Sequence, residues 1–250
     1  MTVDTICSRA YPETVRTRRV IRLFGTAALL LGVALLAWGF ATWKWGDPLT
    51  GVYTRWEQRE LASSYNRIEE RFAIPSRAIP TGAKPDLAWS RKAVRAAALR
   101  FRSALQEGEP IGRIIAPRLG LNMVVVDGTG SATLKRGPGR DRRTYMPGEG
   151  ELVYIAGHRT TYGAPFAYID RLERGDRVVL EVPYARAVYR VTRHVIVPAD
   201  DLKRLETTGT ELVALQACHP RFAASKRYIV YGKLASLTPV PRPSGDSSAS

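Results

Sequence analysis

The chain has two cysteines in 250 residues, Cys7 and Cys218. Cys218 stands inside "LVALQACHPRFAASKRYIVYG", residues 212–232, followed at once by His219 and nine positions later by Arg227. A thiolate is a strong, soft nucleophile, so such a cysteine raises the question of covalent catalysis and of which histidine would move the proton. The three histidines are His158, His194 and His219. Neighbouring residues of a strand face opposite ways, which sets His219 apart from Cys218. No CxxC or HxxxH spacing accompanies the pair, so no metal site is expected. His194 lies in the alternating run "VYRVTRHVIVP" and reads as a surface or satisfied core histidine. His158 closes the apolar run "LVYIAG" and opens the turn-rich "HRTTYGAP", just as Cys218 closes "LVALQA". Two strand ends presenting a His and a Cys suit an acid/base and nucleophile pair. A structural histidine beside an incidental thiol fits the same spacing.

Arg227 opens the β-rich run "RYIVYGKL", so the connection from His219 to Lys226 can return it beside Cys218 as an antiparallel neighbour. A guanidinium is permanently charged and rich in donors, which suits a carbonyl or oxyanion rather than proton transfer. An edge-strand arginine in solvent is the other reading of the same residue.

The elements that must position these residues are mostly strands. From Pro110 the chain runs through "IGRIIAPRLGLNMVVVDG", "GELVYIAGH", "DRVVLEVPY", "AVYRVTRHVIVP", "TELVALQAC" and "RYIVYGKL", short β-rich pieces separated by Gly, Pro, Asp or Ser. That spacing predicts a closed barrel or a sandwich. Only "APFAYIDRLE" and "ADDLKRLE" read as short helices, which disfavours parallel βαβ winding. Upstream, residues 44–109 hold two helical pieces. The first carries Trp56, Leu61, Tyr65, Ile68 and Phe72 at helical spacing, and the second is "LAWSRKAVRAAALRFRSALQ". The link "IPSRAIPTGAKPD" separates them, so the region reads as a helical stalk whose second helix can dock on the domain beyond. "TPVPRPSGDSSAS", residues 238–250, reads as a disordered tail.

Leu23 to Trp43 is 21 residues without a charge. At about 1.5 Å per helical residue that spans the roughly 30 Å of a bilayer core. Arg16, Arg18, Arg19 and Arg22 crowd its N-terminal flank, so residues 1–22 are expected in the cytoplasm and everything after Trp43 outside. Cys7 and Cys218 then lie on opposite sides and cannot pair within one chain. The formal charge of +15 fits an anionic membrane or wall environment, and nucleic acid is not expected as a partner.

"RGPGRDRRTYMPGEG", "YIAGHRTTYGAPF", "LERGDRV" and "CHPRFAASKRYIVYG", in this order, resemble the bacterial sortases of the class E type. Sortases are membrane-anchored cysteine transpeptidases. The resemblance implies a mainly β closed barrel of about eight strands over residues 110–237, with catalytic roles for His158, Cys218 and Arg227 and no cofactor. It implies secreted proteins bearing a C-terminal LAxTG-like or LPxTG-like sorting signal as one substrate and an amine of a peptidoglycan precursor as the other. The family's usual threonine before the cysteine is Ala217 here. Pilin polymerisation, a membrane-tethered cysteine protease and a non-catalytic wall-binding barrel are the alternatives carried forward.

Overall fold

A computed structural model describes residues 13–45, 48–75, 87–201, 205–206 and 209–241. Cys7, most of the "IPSRAIPTGAKPD" link, the middle of "ADDLKRLE" and the last nine residues lie outside the described residues. The chain divides into two units, Met1–Gly46 and Asp47–Ser250.

The first unit is a helix, α1 (Glu13–Trp45), which contains the uncharged run. Its segment Thr17–Ala41 is 25 residues long and apolar enough to cross a membrane. Leu29, Leu30, Leu35 and Leu36 are all exposed on it, an arrangement that suits hydrocarbon surroundings rather than water.

In the second unit the β-rich runs become eight strands: β1 (Pro110–Ala116), β2 (Leu121–Asp127), β3 (Gly139–Arg140), β4 (Leu152–Ala156), β5 (Arg177–Val182), β6 (Ala185–Pro198), β7 (Leu212–His219) and β8 (Lys226–Pro239). They close into a barrel in the order β1-β2-β3-β4-β7-β8-β6-β5. β1 meets β5 antiparallel to complete the ring, while β2–β3 and β4–β7 are the parallel pairs. This is the closed, mainly β architecture the sequence predicts. The two-residue β3 is the strand its pattern hides. Gly139 permits it, because a Cβ there would come within 2.1 Å of the Gly128 carbonyl oxygen. The run "APFAYIDRLE" forms turns and a 3-10 turn at Ile169–Arg171 rather than an α-helix.

Alternation along the strands sorts side chains to two faces. Val153 and Ile155 of β4, Val213, Leu215 and Ala217 of β7, and Val230 of β8 join the barrel interior. Leu152 and Tyr154, Ala214, and Ile229 and Tyr231 form a second cluster with Val197 on the other face of the same three strands. The second face leads to the candidate site.

The two helical pieces upstream of the barrel pack on it. The helices α2 (Pro48–Phe72) and α3 (Leu87–Ala104) belong to the same unit as the barrel. On α3, Val94, Ala97, Ala98 and Phe101 are buried in the main core together with Leu105 beyond it, a helical stripe whose large members are each worth about 1.5–3 kcal/mol on burial. α2 docks through most of its apolar stripe: Leu61 and Tyr65 are buried and Ile68 and Phe72 pack against the main core, whereas Trp56, 58% exposed, turns away. The same face continues toward the N-terminus in buried polar residues, Thr54 and Glu57. Gln58 shows how such residues dock. It accepts from the Val124 N–H at 2.7 Å and donates to the Val124 carbonyl at 3.0 Å, acting as a neighbour for β2. Glu57 adds an ion pair to Arg136 at 2.7 Å.

The C-terminal boundary also moves. Thr238 and Pro239 remain in β8 opposite Arg186 and Ala185. The Val240 N–H donates to the Tyr184 carbonyl at 2.9 Å, and Pro241 bridges to Ile74. The first four residues of the expected tail are therefore ordered, because the backbone of Tyr184 and Ile74 supplies the hydrogen bonds that a solvent-exposed Pro-rich segment lacks.

Candidate active site

β7 and β8 form an antiparallel pair in which Cys218 and Arg227 are direct partners. Directly opposed residues in such a pair share a face. The loop between them, from Pro220 to Ser225, returns the arginine to the cysteine. The guanidinium Nη1 donates to the carbonyls of Ala224 and Lys226 at 2.8 and 2.9 Å. Backbone register thus fixes the juxtaposition, and Nε and Nη2 hold further donors.

β4 lies on the other side of β7, parallel and in register, with Tyr154 opposite Ala214 and Ala156 opposite Gln216. The Gly157 N–H continues the ladder to the Gln216 carbonyl at 3.0 Å. Two residues past the last pair come His158 on one strand and Cys218 on the other. His158, Cys218 and Arg227 accordingly end three adjacent strands in the phase of the face that carries Tyr154, Ala214 and Ile229. Arg227 also bears electrostatically on Tyr154, whose hydroxyl pKa is raised by burial first. Ala217, in the place of the family's usual threonine, points the other way into the barrel core.

His158 is half-buried, and its Nε2 has no hydrogen-bond partner among the described residues. Burial, and then the positive charge of Lys135, push its pKa below the usual imidazole value. The neutral ring is therefore the dominant form near neutral pH. Cys218 is a free thiol of intermediate exposure.

The other two histidines sit around Tyr228. His194 is exposed and stacks on that ring at 6.0 Å with an interplanar angle of 30°. His219 lies 5.9 Å from it, and its Nδ1 meets Arg159 Nη1 at 3.0 Å. That Arg159 is the residue the sequence reading passes over. It is 5% exposed, and its Nη1 also donates to the Cys218 carbonyl at 3.3 Å while Nη2 pairs with Asp170 Oδ1 at 3.0 Å. It ties the residue after His158 to the backbone of the nucleophile candidate. The signal in the sequence was a charge at the end of a buried strand, next to a histidine.

A cavity of about 540 Å³ lies elsewhere, lined by Arg91, Arg95, Gly148, Glu211, Lys233 and Leu237 among others. Lys233 pairs with Leu212 at the start of β7, so this cavity is at the end of the barrel opposite Cys218.

Residues 114–235 match the family model of the sortase domain. The chain is 32% identical over 134 residues to sortase D of Bacillus subtilis (strain 168), a match covering 51% of this chain and 65% of that protein. It therefore spans just under two thirds of that relative's length. The SrtA sortase from Actinomyces oris is 30% identical, with a TM-score of 0.51 over 58% of this chain and 88% of that one. Sortase E1 from Streptomyces coelicolor, solved with a tripeptide in the active site, is 26% identical with a TM-score of 0.51 over 57% and 98%. The chain belongs to the sortase family.

Proposed function

We propose that this protein is a single-pass membrane transpeptidase of the sortase class E type, with its N-terminus in the cytoplasm and residues after Trp43 outside. Its substrates are a secreted protein carrying a C-terminal LAxTG-like or LPxTG-like signal and an amine of a peptidoglycan precursor. The observation that carries the reading is the alignment of three neighbouring strands, with Arg227 opposite Cys218 and His158 two residues beyond the end of β4.

In the proposed reaction the Cys218 thiolate attacks the threonine carbonyl carbon, and the oxyanion that forms is met by the guanidinium of Arg227. The C–N bond to glycine breaks as His158 gives its proton to the departing amine. A thioester joins the threonine acyl group to Sγ. The precursor's amine then attacks that thioester, His158 takes the amine's proton, and the thiolate leaves as the new amide forms. No water enters the balance.

Burial, and then the positive charge of Lys135, hold the His158 pKa below the usual imidazole value, so the protonated ring is a minor form near neutral pH and the rate of such an enzyme is limited by how much of it the site holds. A likeness of both sortase D and sortase E1 to this chain supports the family chemistry, and the alanine at position 217 distinguishes this site from the usual threonine-cysteine pair.

The test offers the full chain in detergent an LAxTG peptide and an LPxTG peptide, each with and without a glycine amine. The reading predicts an amine-dependent ligation product that disappears in Cys218→Ala. Cleavage to the free acid unaffected by the amine would identify a protease instead. Product that persists in Cys218→Ala would remove cysteine catalysis altogether.

A further inference from the structure

The backbone does something unusual four residues after His158. Tyr162, Gly163 and Ala164 have φ values of 51°, 70° and 40°, three successive residues in the left-handed region. Glycine enters it freely, but a bulky aromatic residue there is an outlier and persists only where the surroundings over-determine it. Those surroundings are the first two turns of α2. The Tyr162 N–H donates to Thr50 Oγ1 at 2.8 Å, and the Tyr53 ring meets the Tyr162 ring edge-on at 6.4 Å. A Cβ on Gly163 would stand 3.4 Å from Thr54 Cγ2, so the helix rests directly on the turn. Thr54 Oγ1 also donates to the Lys135 carbonyl at 3.1 Å, and Lys135 Nζ lies 5.7 Å from the centre of the Tyr162 ring.

What the clamped tyrosine touches is His158. The two rings lie 5.1 Å apart with an interplanar angle of 40°. The torsion that turns a histidine ring is soft, so its direction must come from hydrogen bonds or packing. Nε2 has no hydrogen-bond partner among the described residues. The Phe166 N–H donates to the His158 carbonyl at 3.1 Å, closing the loop around both rings but holding only the backbone. Among the described residues, the tilted Tyr162 ring is the aromatic group that packs against the His158 ring.

We infer that Tyr162 is a positioning residue for His158, and that the first two turns of α2 form the clamp that holds it. A helix outside the barrel is thereby a working part of the acid/base site. The catalytic consequence rests on the transpeptidase reading, whereas the positioning of the ring does not. The charged and titratable groups around the ring are Tyr162 on its own loop and Lys135 from α4 (Ser131–Arg136), with Tyr53 and Glu57 of α2 and Arg136 of α4 behind Tyr162.

The experiment uses the full chain in detergent with Tyr162→Phe, Tyr162→Gly, Thr50→Ala and Thr50→Ser. It reads kcat and KM for peptide ligation and, separately, the His158 titration by NMR with labelled histidine. Tyr162→Phe keeps the ring and is expected to behave as the parent. Tyr162→Gly accepts the left-handed backbone without strain but removes the stack, and is expected to lower kcat about tenfold or more with KM nearly unchanged. It also moves the His158 titration up toward about 6.5, because the ring gains solvent. Thr50→Ala shifts both readouts the same way, with kcat down about threefold, and Thr50→Ser restores them. Parental kcat and parental titration in both Tyr162→Gly and Thr50→Ala would overturn the inference, as would equal damage in Tyr162→Phe and Tyr162→Gly. If the parent makes no product, the transpeptidase reading fails, and the NMR arm still decides whether Tyr162 positions the ring.

Discussion

At the foot of β7, Glu211 is buried and fully engaged. It accepts from the Tyr189 hydroxyl at 2.8 Å, the Gly148 N–H at 2.9 Å and the Gly150 N–H at 3.1 Å. Beside it the Tyr184 hydroxyl donates to the Pro147 carbonyl at 2.9 Å, and Glu149 pairs with Arg102 at 3.0 Å. At the other end of the same strand, Cys218 is partly open, and His158 Nε2, Arg159 Nε and Arg221 Nε are buried without hydrogen-bond partners among the described residues. Glu151 Oε2, next to Gly150 at the start of β4, is buried without a partner too, so the contrast is one of degree. Buried polar groups are ordinarily satisfied: the Glu211 carboxylate accepts on both oxygens, whereas three ring or guanidinium nitrogens near the Cys218 end lack partners.

The contrast can be broken from either side. The largest expected effect is at the open end, where Cys218→Ala lowers amine-dependent ligation by at least about 10³-fold. Its melting temperature should stay near the parent's, since a partly exposed thiol carries little packing. Arg227→Lys comes next, with kcat/KM falling about 10²-fold as the planar donor set is replaced by a point charge. Steady-state kinetics with the peptide pair measures both, and near-parental activity in the lysine variant would mean that guanidinium geometry is not used.

The satisfied end answers in stability instead. Glu211→Ala leaves the Tyr189 hydroxyl and two backbone N–H groups without their acceptor and should cost about 3 kcal/mol in denaturant unfolding, with activity per folded molecule retained. The two ends should also respond to pH with opposite signs. Burial raises the Glu211 pKa, so the native state holds a proton that the unfolded state has lost, and its contribution to stability falls as pH rises from about 4.5 through the raised value. Burial lowers the His158 pKa, so there the unfolded state binds the extra proton, and stability rises with pH up to about 6.5. Glu211→Gln should flatten the first slope and leave the second, as read by unfolding free energies across that range. The smallest effect belongs to the half-exposed partner of Arg159. Asp170→Asn should cost about 0.5 kcal/mol or less, while moving the kinetics more than the stability if the arginine braces the Cys218 backbone.

Much of this is legible in the sequence. The runs ending at His158 and Cys218, and the one beginning at Arg227, show their strands by composition, and turn residues mark where each stops. The antiparallel return of Arg227 follows from a connection of a few residues. Spacing leaves the partner of Cys218 open, and the preference for His158 over His219 rests on the family resemblance, because a parallel pairing between β4 and β7, sixty residues apart in sequence, leaves no local trace. β3 is too short to show a period, and hydropathy marks Leu61 and Tyr65 on the docking face of α2 but not Thr54, Glu57 and Gln58, which dock through hydrogen bonds and an ion pair.

By itself the sequence determined the apolar N-terminal helix, the β-rich domain and its strand ends, because length, charge and alternation are local properties of the chain. Tertiary structure decided which strand ends meet, which faces they share, that α2 rests against the loop after His158, and that Arg159 reaches the backbone of Cys218. Each of those depends on register between distant segments, and register is fixed by hydrogen bonds and packing that only the closed barrel brings together.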